Sequence, residues 1–234
     1  MKRLAFYGGS FDPVHRGHLK IAGELTDLFE LDEFVFIPAF HAPHKTRQKP
    51  TSAYHRYAML CLATRNFVQT KVSTMELDVP EKPYSVETLT KLLSEYPEDK
   101  LFFVIGADSW MEITTWREWE KVLTMVNIIV VTRPNYEIGF SHVTDGIRAR
   151  ITDIRTDNGK WKMENSRSGN SSLPDAAATG SADSHIYITN AVSMDISSTN
   201  IRAEIRDGDA DWKRSVSSET AKYIEKYDIY REAE

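Results

Sequence analysis

Cysteine is almost missing from this chain: Cys61 is the single one among 234 residues. A lone thiol excludes an internal disulfide framework and a cysteine-built zinc ribbon, and it fits a reducing, cytoplasmic setting. Long apolar runs are missing too. No stretch approaches the roughly 18 consecutive apolar residues that a membrane span needs, and the apolar part of MKRLAFYGGSFDP is too short for a secretory signal. Nor is there an excess of positive charge. With 29 Lys and Arg against 34 Asp and Glu, the net charge of −5 leaves no basic stripe to follow a nucleic-acid backbone, although one small basic pocket can still take a phosphate-bearing ligand. We therefore expect a small-molecule partner, no nucleic acid and no membrane. What the chain does have is 41% hydrophobic residues over a length that can bury a core, and we expect one domain over residues 1–234.

The apolar pattern alternates between two periods. RLAFYGG (3–9) reads as a short buried strand ending in glycines, and 18–31 carries Leu19, Ile21, Ala22, Leu25, Leu28 and Phe29 at helical spacing. EFVFIPA (33–39) predicts a strand closed by Pro38, 52–65 a helix, and KVSTMELDV (71–79) a strand by its alternation. A helix over 85–96 stops before Pro97, and KLFFVIGAD (100–108) is the most strand-like run in the chain. Residues 117–126 and 127–134 repeat the helix–strand pair; 185–192 is a further strand, and helices over 198–208 and 217–230 make a small C-terminal helical region. The alternation predicts an α/β fold, a Rossmann-like parallel sheet with helices on both faces. Ligands of such sheets bind outside the carboxyl ends of the strands, so GGS, PAFHAPHK, GADSW and VTRP are expected to crowd one edge. Residues 157–185 are small and polar without a period, which predicts a flexible insertion: a lid or partner site, or a plain disordered loop.

GGSFDPVHRGHL (8–19) concentrates unusual chemistry where the first strand meets the first helix. Asp12 or a neighbour is expected to cap that helix with Pro13 in its first turn, which sets His15 and His18 on one face near its amino end. A helix amino terminus carries unsatisfied N–H groups and a partial positive charge, so an anion, usually a phosphate, belongs there. Gly8 and Gly9 let a backbone approach closely, the Ser10 hydroxyl can donate, and two imidazoles can donate to the same oxygens. We read the stretch as a site for nucleotide phosphates. Two other readings stand beside it: ordinary helix-start residues, or a four-histidine metal site completed by His41 and His44 of HAPHK, where Lys45 would repel a cation. DISSTNIR (195–202) adds three consecutive hydroxyls at a helix start and Arg202 on its first turn, a second set of anion donors that alone would read as a good N-cap.

Taken together, the two stretches are far more specific. GGSFDPVHRGHL resembles the G-x-F-D-P-x-H-x-G-H signature of the nucleotidyltransferase superfamily of adenylyl and cytidylyl transferases, and ISSTNIR resembles its I-S-S-T-x-I-R signature. IPAFHAPHK, HRYAML, MELDVPEKPYSVETL, FFVIGADSW, TTWREWEKV and VVTRPNY are similar, in order, to landmarks of the bacterial nicotinate-nucleotide adenylyltransferases. The likeness runs from about residue 3 to 139 and from 186 onward, leaving 140–185 unmatched. It implies a single nucleotidyltransferase domain that moves AMP from ATP to nicotinate mononucleotide, giving nicotinate adenine dinucleotide and pyrophosphate in NAD biosynthesis. It implies that His15, His18, Lys45 and Arg202 serve catalysis. Gly8, Gly9, Ser10 and Phe11 would join the two histidines on ATP, with Ser198, Thr199 and Arg202 on the β and γ phosphates. Gly106, Asp108 and Ser109 would line the adenosine side, and Arg133 would lie near the adenine. Lys45, Ser85, Trp116 and Arg117 would hold nicotinate mononucleotide, with Trp116 stacked on the pyridine and N–H groups at Ser85 and near Arg117 reading its carboxylate. Mg²⁺ would come held by ATP phosphates, with no metal bound by the protein itself. Ser10 departs from a common threonine and Ala42 from a frequent proline. A relative acting on phosphopantetheine, one preferring nicotinamide mononucleotide, and a catalytically dead nucleotide-binding regulatory module remain as alternatives; the oligomeric state stays open.

Overall fold

The computed structural model describes residues 1–40, 51–77, 83–132, 137–155, 184–192, 194 and 196–231. Among them are the strands β1 (Arg3–Gly9), β2 (Glu33–Pro38), β3 (Thr70–Val72), β4 (Lys100–Gly106), β5 (Asn127–Val131), β6 (Ile151–Asp153) and β7 (Ile186–Thr189). They form a seven-stranded sheet in the order β3-β2-β1-β4-β5-β7-β6. The pairings of β2 with β3, β4 with β5, β5 with β7 and β6 with β7 are all parallel. Parallel neighbours need long crossovers, and helices supply them. These are α1 (Arg16–Phe29), α2 (Ala53–Thr64), α3 (Ser85–Glu95), α4 (Ala107–Met111), α5 (Trp119–Met125) and α6 (Asp145–Arg148), followed by α7 (Ser198–Arg206), α8 (Trp212–Ser215) and α9 (Ser218–Lys226). The expected α/β sheet is present. No helix of the described residues is long and apolar enough to cross a membrane.

Packing divides the chain into two compact units, the first made of Met1–Ala5, Glu24–Asp32 and Tyr84–Ser193. Here Leu101–Ile105 of β4 and all of β5 are buried, which is why both read as unbroken apolar runs: each strand is covered on both faces. Phe29 at the end of α1 packs its ring 5.5 Å from Phe102 and 5.2 Å from Tyr187. Glu30, in a left-handed conformation at φ 48°, then closes that helix, and the Leu31 N–H reaches back to the Thr26 carbonyl.

The second unit comprises Phe6–Gly23, Glu33–Pro83 and Met194–Glu234. Its core carries the aromatic cluster of Tyr7, Phe11, Phe34 and Phe36, with ring centroids 5.2–6.2 Å apart. Helix α2 buries Ala53, Arg56, Met59, Leu60 and Ala63 on one stripe and meets α9 where His55 Nδ1 hydrogen-bonds the Tyr223 hydroxyl at 3.0 Å.

Several boundaries differ from expectation for local reasons. The strand expected over 71–79 stops at Val72: the Ser73 N–H makes a last bond to the Phe36 carbonyl, and then the Ser73 hydroxyl takes the Met75 N–H and turns the chain. The helix expected over 217–230 ends at Lys226, and Asp228 and Tyr230 follow at φ 54° and 71°. The one-turn helices α6 and α8 and the three-residue edge strand β6 are too short to leave a period in the sequence. Of the insertion expected over 157–185, all but Ser184 and His185 lies outside the described residues.

Candidate active site

Helix α1 begins at Arg16, so His15, and not Asp12, occupies the N-cap position, and Pro13 lies before the helix after a cis Asp12–Pro13 peptide. This corrects the expected cap. The His15 N–H donates to His18 Nδ1 at 3.2 Å, so the third helical residue reaches back to the cap as in a capping box. Because Nδ1 is an acceptor, a neutral His18 carries its proton on Nε2, which is thereby a donor. The two imidazoles stack with centroids 3.6 Å apart and 25° between planes. Phe11 closes edge-on against His18, with centroids 5.0 Å apart. His15 is buried and His18 half-buried.

Glycine serves this packing directly. A Cβ on Gly17 would lie 3.0 Å from His15 Nδ1, and one on Gly9 would lie 2.9 Å from the tip of the Phe11 ring. The close approach at Gly9 is thus made by Phe11, which turns the chain at φ 48°. Gly8 and Gly9 end β1, and Ser10 follows them half-buried.

The second donor stretch is bonded to the first. Ser197 caps α7, its hydroxyl accepting from the Thr199 N–H at 3.2 Å. Ser198 Oγ donates to the Pro13 carbonyl at 3.0 Å, and Arg202 Nη1 donates to the Asp12 carbonyl at 2.7 Å. Arg202 Nη2 also reaches Thr199 Oγ1 at 3.4 Å. Ser10, His15, His18, Ser198, Thr199 and Arg202 therefore belong to one cluster within the second unit.

Sequence reasoning missed what lies under this cluster. Arg56 is fully buried and spends its guanidinium on four carbonyls: Ser10 at 2.6 Å, Ala39 at 2.5 Å, Phe40 at 3.2 Å and Thr51 at 2.9 Å. Burial pushes Arg56 below its ordinary value, while the Asp12 charge pulls the other way. The Asp12 carboxylate accepts from the Tyr230 hydroxyl at 2.6 Å and from the Thr51 N–H at 3.2 Å. Burial, then the Asp12 charge, holds the Tyr230 hydroxyl well above its ordinary value, so it remains the donor. A charged residue on the apolar stripe of α2 was a readable signal for Arg56. Nothing local marks Tyr230.

The remaining described residues of the expected site belong to the first unit. Gly106 ends β4, and Asp108, exposed, and Ser109, half-buried, occupy the first turn of α4. Trp116 is half-buried after a 3₁₀ turn over Ile113–Thr115, its N–H bonded to the Ile113 carbonyl. The Arg117 guanidinium sits 4.9 Å over the Tyr84 ring and 3.3 Å from Glu87 Oε1, while Glu87 Oε2 accepts the Tyr84 N–H at 3.0 Å. Ser85 opens α3, whose first N–H groups have no intrahelical acceptor. Lys45, Arg133 and the histidines His41 and His44 lie outside the described residues.

The sequence of residues 6–204 matches the model of the cytidylyltransferase-like family. The chain belongs to that family. A protein of Citrifermentans bemidjiense named "Probable nicotinate-nucleotide adenylyltransferase" is 36% identical over 206 residues, 88% of each chain. A Thermoanaerobacter protein of the same name is 33% identical over 233 residues, 99% of this chain and 96% of its own. The Plasmodium falciparum nicotinic acid mononucleotide adenylyltransferase complexed with NaAD superposes with a TM-score of 0.70 at 19% identity, over 98% of each chain, a likeness of fold. In this cytidylyltransferase-like chain the stretch from Ser10 to His18 and the start of α7 are bonded to each other.

Proposed function

We infer that this chain is a nicotinate-nucleotide adenylyltransferase, which transfers AMP from ATP to nicotinate mononucleotide and releases pyrophosphate. The observation that carries the reading is the joining of the two donor stretches through Ser198 and Arg202, because it gathers hydroxyl, imidazole and guanidinium donors around a helix amino terminus, as a polyphosphate requires. Family membership and full-length relatives of that name support the acceptor.

No protein nucleophile is required. An oxygen of the acceptor phosphate attacks the α-phosphorus of ATP, the bond to the α–β bridging oxygen breaks, and pyrophosphate leaves with the electron pair. The chain's work is positioning and charge neutralisation. In this proposal Ser10, His15 and His18 contact the phosphates, with the His18 Nε2–H directed at charge on the transferring phosphoryl group. Gly8, Gly9 and Phe11 shape that loop; Ser198, Thr199 and Arg202 hold the departing pyrophosphate. Lys45 adds charge neutralisation for the triphosphate or the acceptor phosphate. Gly106, Asp108, Ser109 and Arg133 take the adenosine. Trp116 stacks on the pyridine, and N–H groups at Ser85 and near Arg117 receive its carboxylate, to which an amide would present its own N–H donors. The phosphate-side donors suit anions, and the Asp12 carboxylate is already engaged by Tyr230 and Thr51, so Mg²⁺ fits as an ion brought by ATP. When bound, it would neutralise phosphate charge. The single cysteine and these substrates suit a cytoplasmic enzyme.

Pyrophosphate release with ATP and Mg²⁺ tests the reading, comparing nicotinate mononucleotide, nicotinamide mononucleotide and phosphopantetheine as acceptors. We expect a strong preference for the first. Preference for either other acceptor reassigns the substrate, and silence with all three favours a regulatory module.

A further inference from the structure

The phosphate-side loop is tied down from the far end of the chain. Tyr230 comes after α9, and its hydroxyl donates to Asp12 Oδ1 at 2.6 Å across 218 residues of sequence. Asp12 Oδ2 takes the Thr51 N–H, and the Asp12 carbonyl takes Arg202. The carboxylate is buried, with Asp12 only 7% exposed, so the donors it has there matter. Tyr230 itself is left-handed, at φ 71°, two residues after Asp228 at φ 54°. Bulky residues hold such angles only where their surroundings enforce them. Asp12 lies between Phe11, itself left-handed, and the N-cap His15. Its position thus bears on where the stretch from Ser10 to His18 presents its donors.

We propose that Tyr230 is a positioning residue for the phosphate-binding loop, acting through Asp12 to fix residues 10–15 against the start of α7. The inference rests on the assignment of that loop to ATP phosphates. A hydroxyl donating to a carboxylate makes a short, strong bond. Without it, the Asp12 carboxylate turns toward the Thr51 N–H, the loop shifts, and the imidazoles no longer meet the phosphates squarely. Misplaced donors penalise phosphate binding and transfer while leaving the pyridine side alone.

The test is Tyr230→Phe, which removes one oxygen and keeps the ring. ATP affinity is read by calorimetry with Mg²⁺ and no acceptor, alongside kcat, the KM of each substrate and the melting temperature. We expect ATP affinity and kcat/KM for ATP to fall about tenfold, with the KM for nicotinate mononucleotide unchanged. Unchanged ATP affinity overturns the proposal, and so does an equal loss for both substrates, the mark of general damage. A double-mutant cycle tests the route: in an Asp12→Asn background, Tyr230→Phe should lose most of its effect on ATP affinity, and additive losses would refute action through Asp12. Because calorimetry needs no acceptor, a parent protein that binds ATP but leaves nicotinate mononucleotide unreacted would sink the adenylyltransferase reading and still let ATP affinity decide this one.

Discussion

Gly17 separates two imidazoles that must share a confined space. His15 is sandwiched, with His18 stacked 3.6 Å from its ring and the position of an absent Gly17 Cβ 3.0 Å from its Nδ1. In an ordinary first turn Gly→Ala would stabilise a helix by up to about 1 kcal/mol. Here the methyl group has to push the His15 ring, and through the stack it tilts His18 as well. Gly17→Ala should therefore separate the two properties: urea unfolding at or slightly above the parent's midpoint, and a kcat lower by about tenfold because the donors are misaimed. Parental turnover in this variant would mean that the stack has no bearing on catalysis. The same steric logic explains why a glycine lies between these two histidines, something that spacing alone leaves unexplained.

Helix α2 shows how an element can be located from its sequence while the work of one of its residues goes unread. Its buried stripe includes Arg56, whose guanidinium joins the helix to the loop after β1 through Ser10 and to the end of β2 through Ala39 and Phe40. Arg56→Met fills much of the volume but orphans those carbonyls and leaves the buried Asp12 charge without its compensating neighbour. The expected loss is about 3–5 kcal/mol, read as a lower urea midpoint at unchanged slope. A midpoint equal to the parent's would show the carbonyls satisfied some other way. Apolar periodicity was enough to locate β1, β2, β4 and β5 to within a few residues, because burial on both faces writes itself directly into composition. It located the two donor stretches for a different reason: hydroxyls, imidazoles and glycines at a strand end have few purely structural uses together. Asp12 and Tyr230 were invisible as a pair, since no local pattern reports a bond between residues 218 positions apart. The N-cap is His15 and not Asp12 because the helix starts only at Arg16, after the cis Asp12–Pro13 peptide, and the Asp12 carboxylate is used instead by Tyr230 and Thr51.

At the scale of the whole molecule, Tyr187 on β7 is an ionisable group buried within the sheet. Its ring packs against Phe29 and Phe102, and burial pushes its hydroxyl up to about 12, with Arg3 pulling slightly the other way. The unfolded chain releases that proton near the ordinary value of 10, so between these values the folded state binds more protons than the unfolded one. The resulting stabilisation is complete below the unfolded value and is lost as pH rises through the folded one. Two pKa units correspond to at most about 2–3 kcal/mol. Alkaline pH also raises the negative charge of a chain that already carries −5, which weakens the fold by self-repulsion in any variant. Tyr187→Phe isolates the one group, because it keeps the ring and the net charge at neutral pH but cannot ionise. Urea unfolding of both proteins from pH 9 to 12 should show the parent losing stability more steeply above pH 10, the gap between the curves changing by up to about 2 kcal/mol. Parallel curves would mean that Tyr187 ionises as readily in the folded sheet as in the open chain, and that the strand is far less sealed from water than its packing indicates.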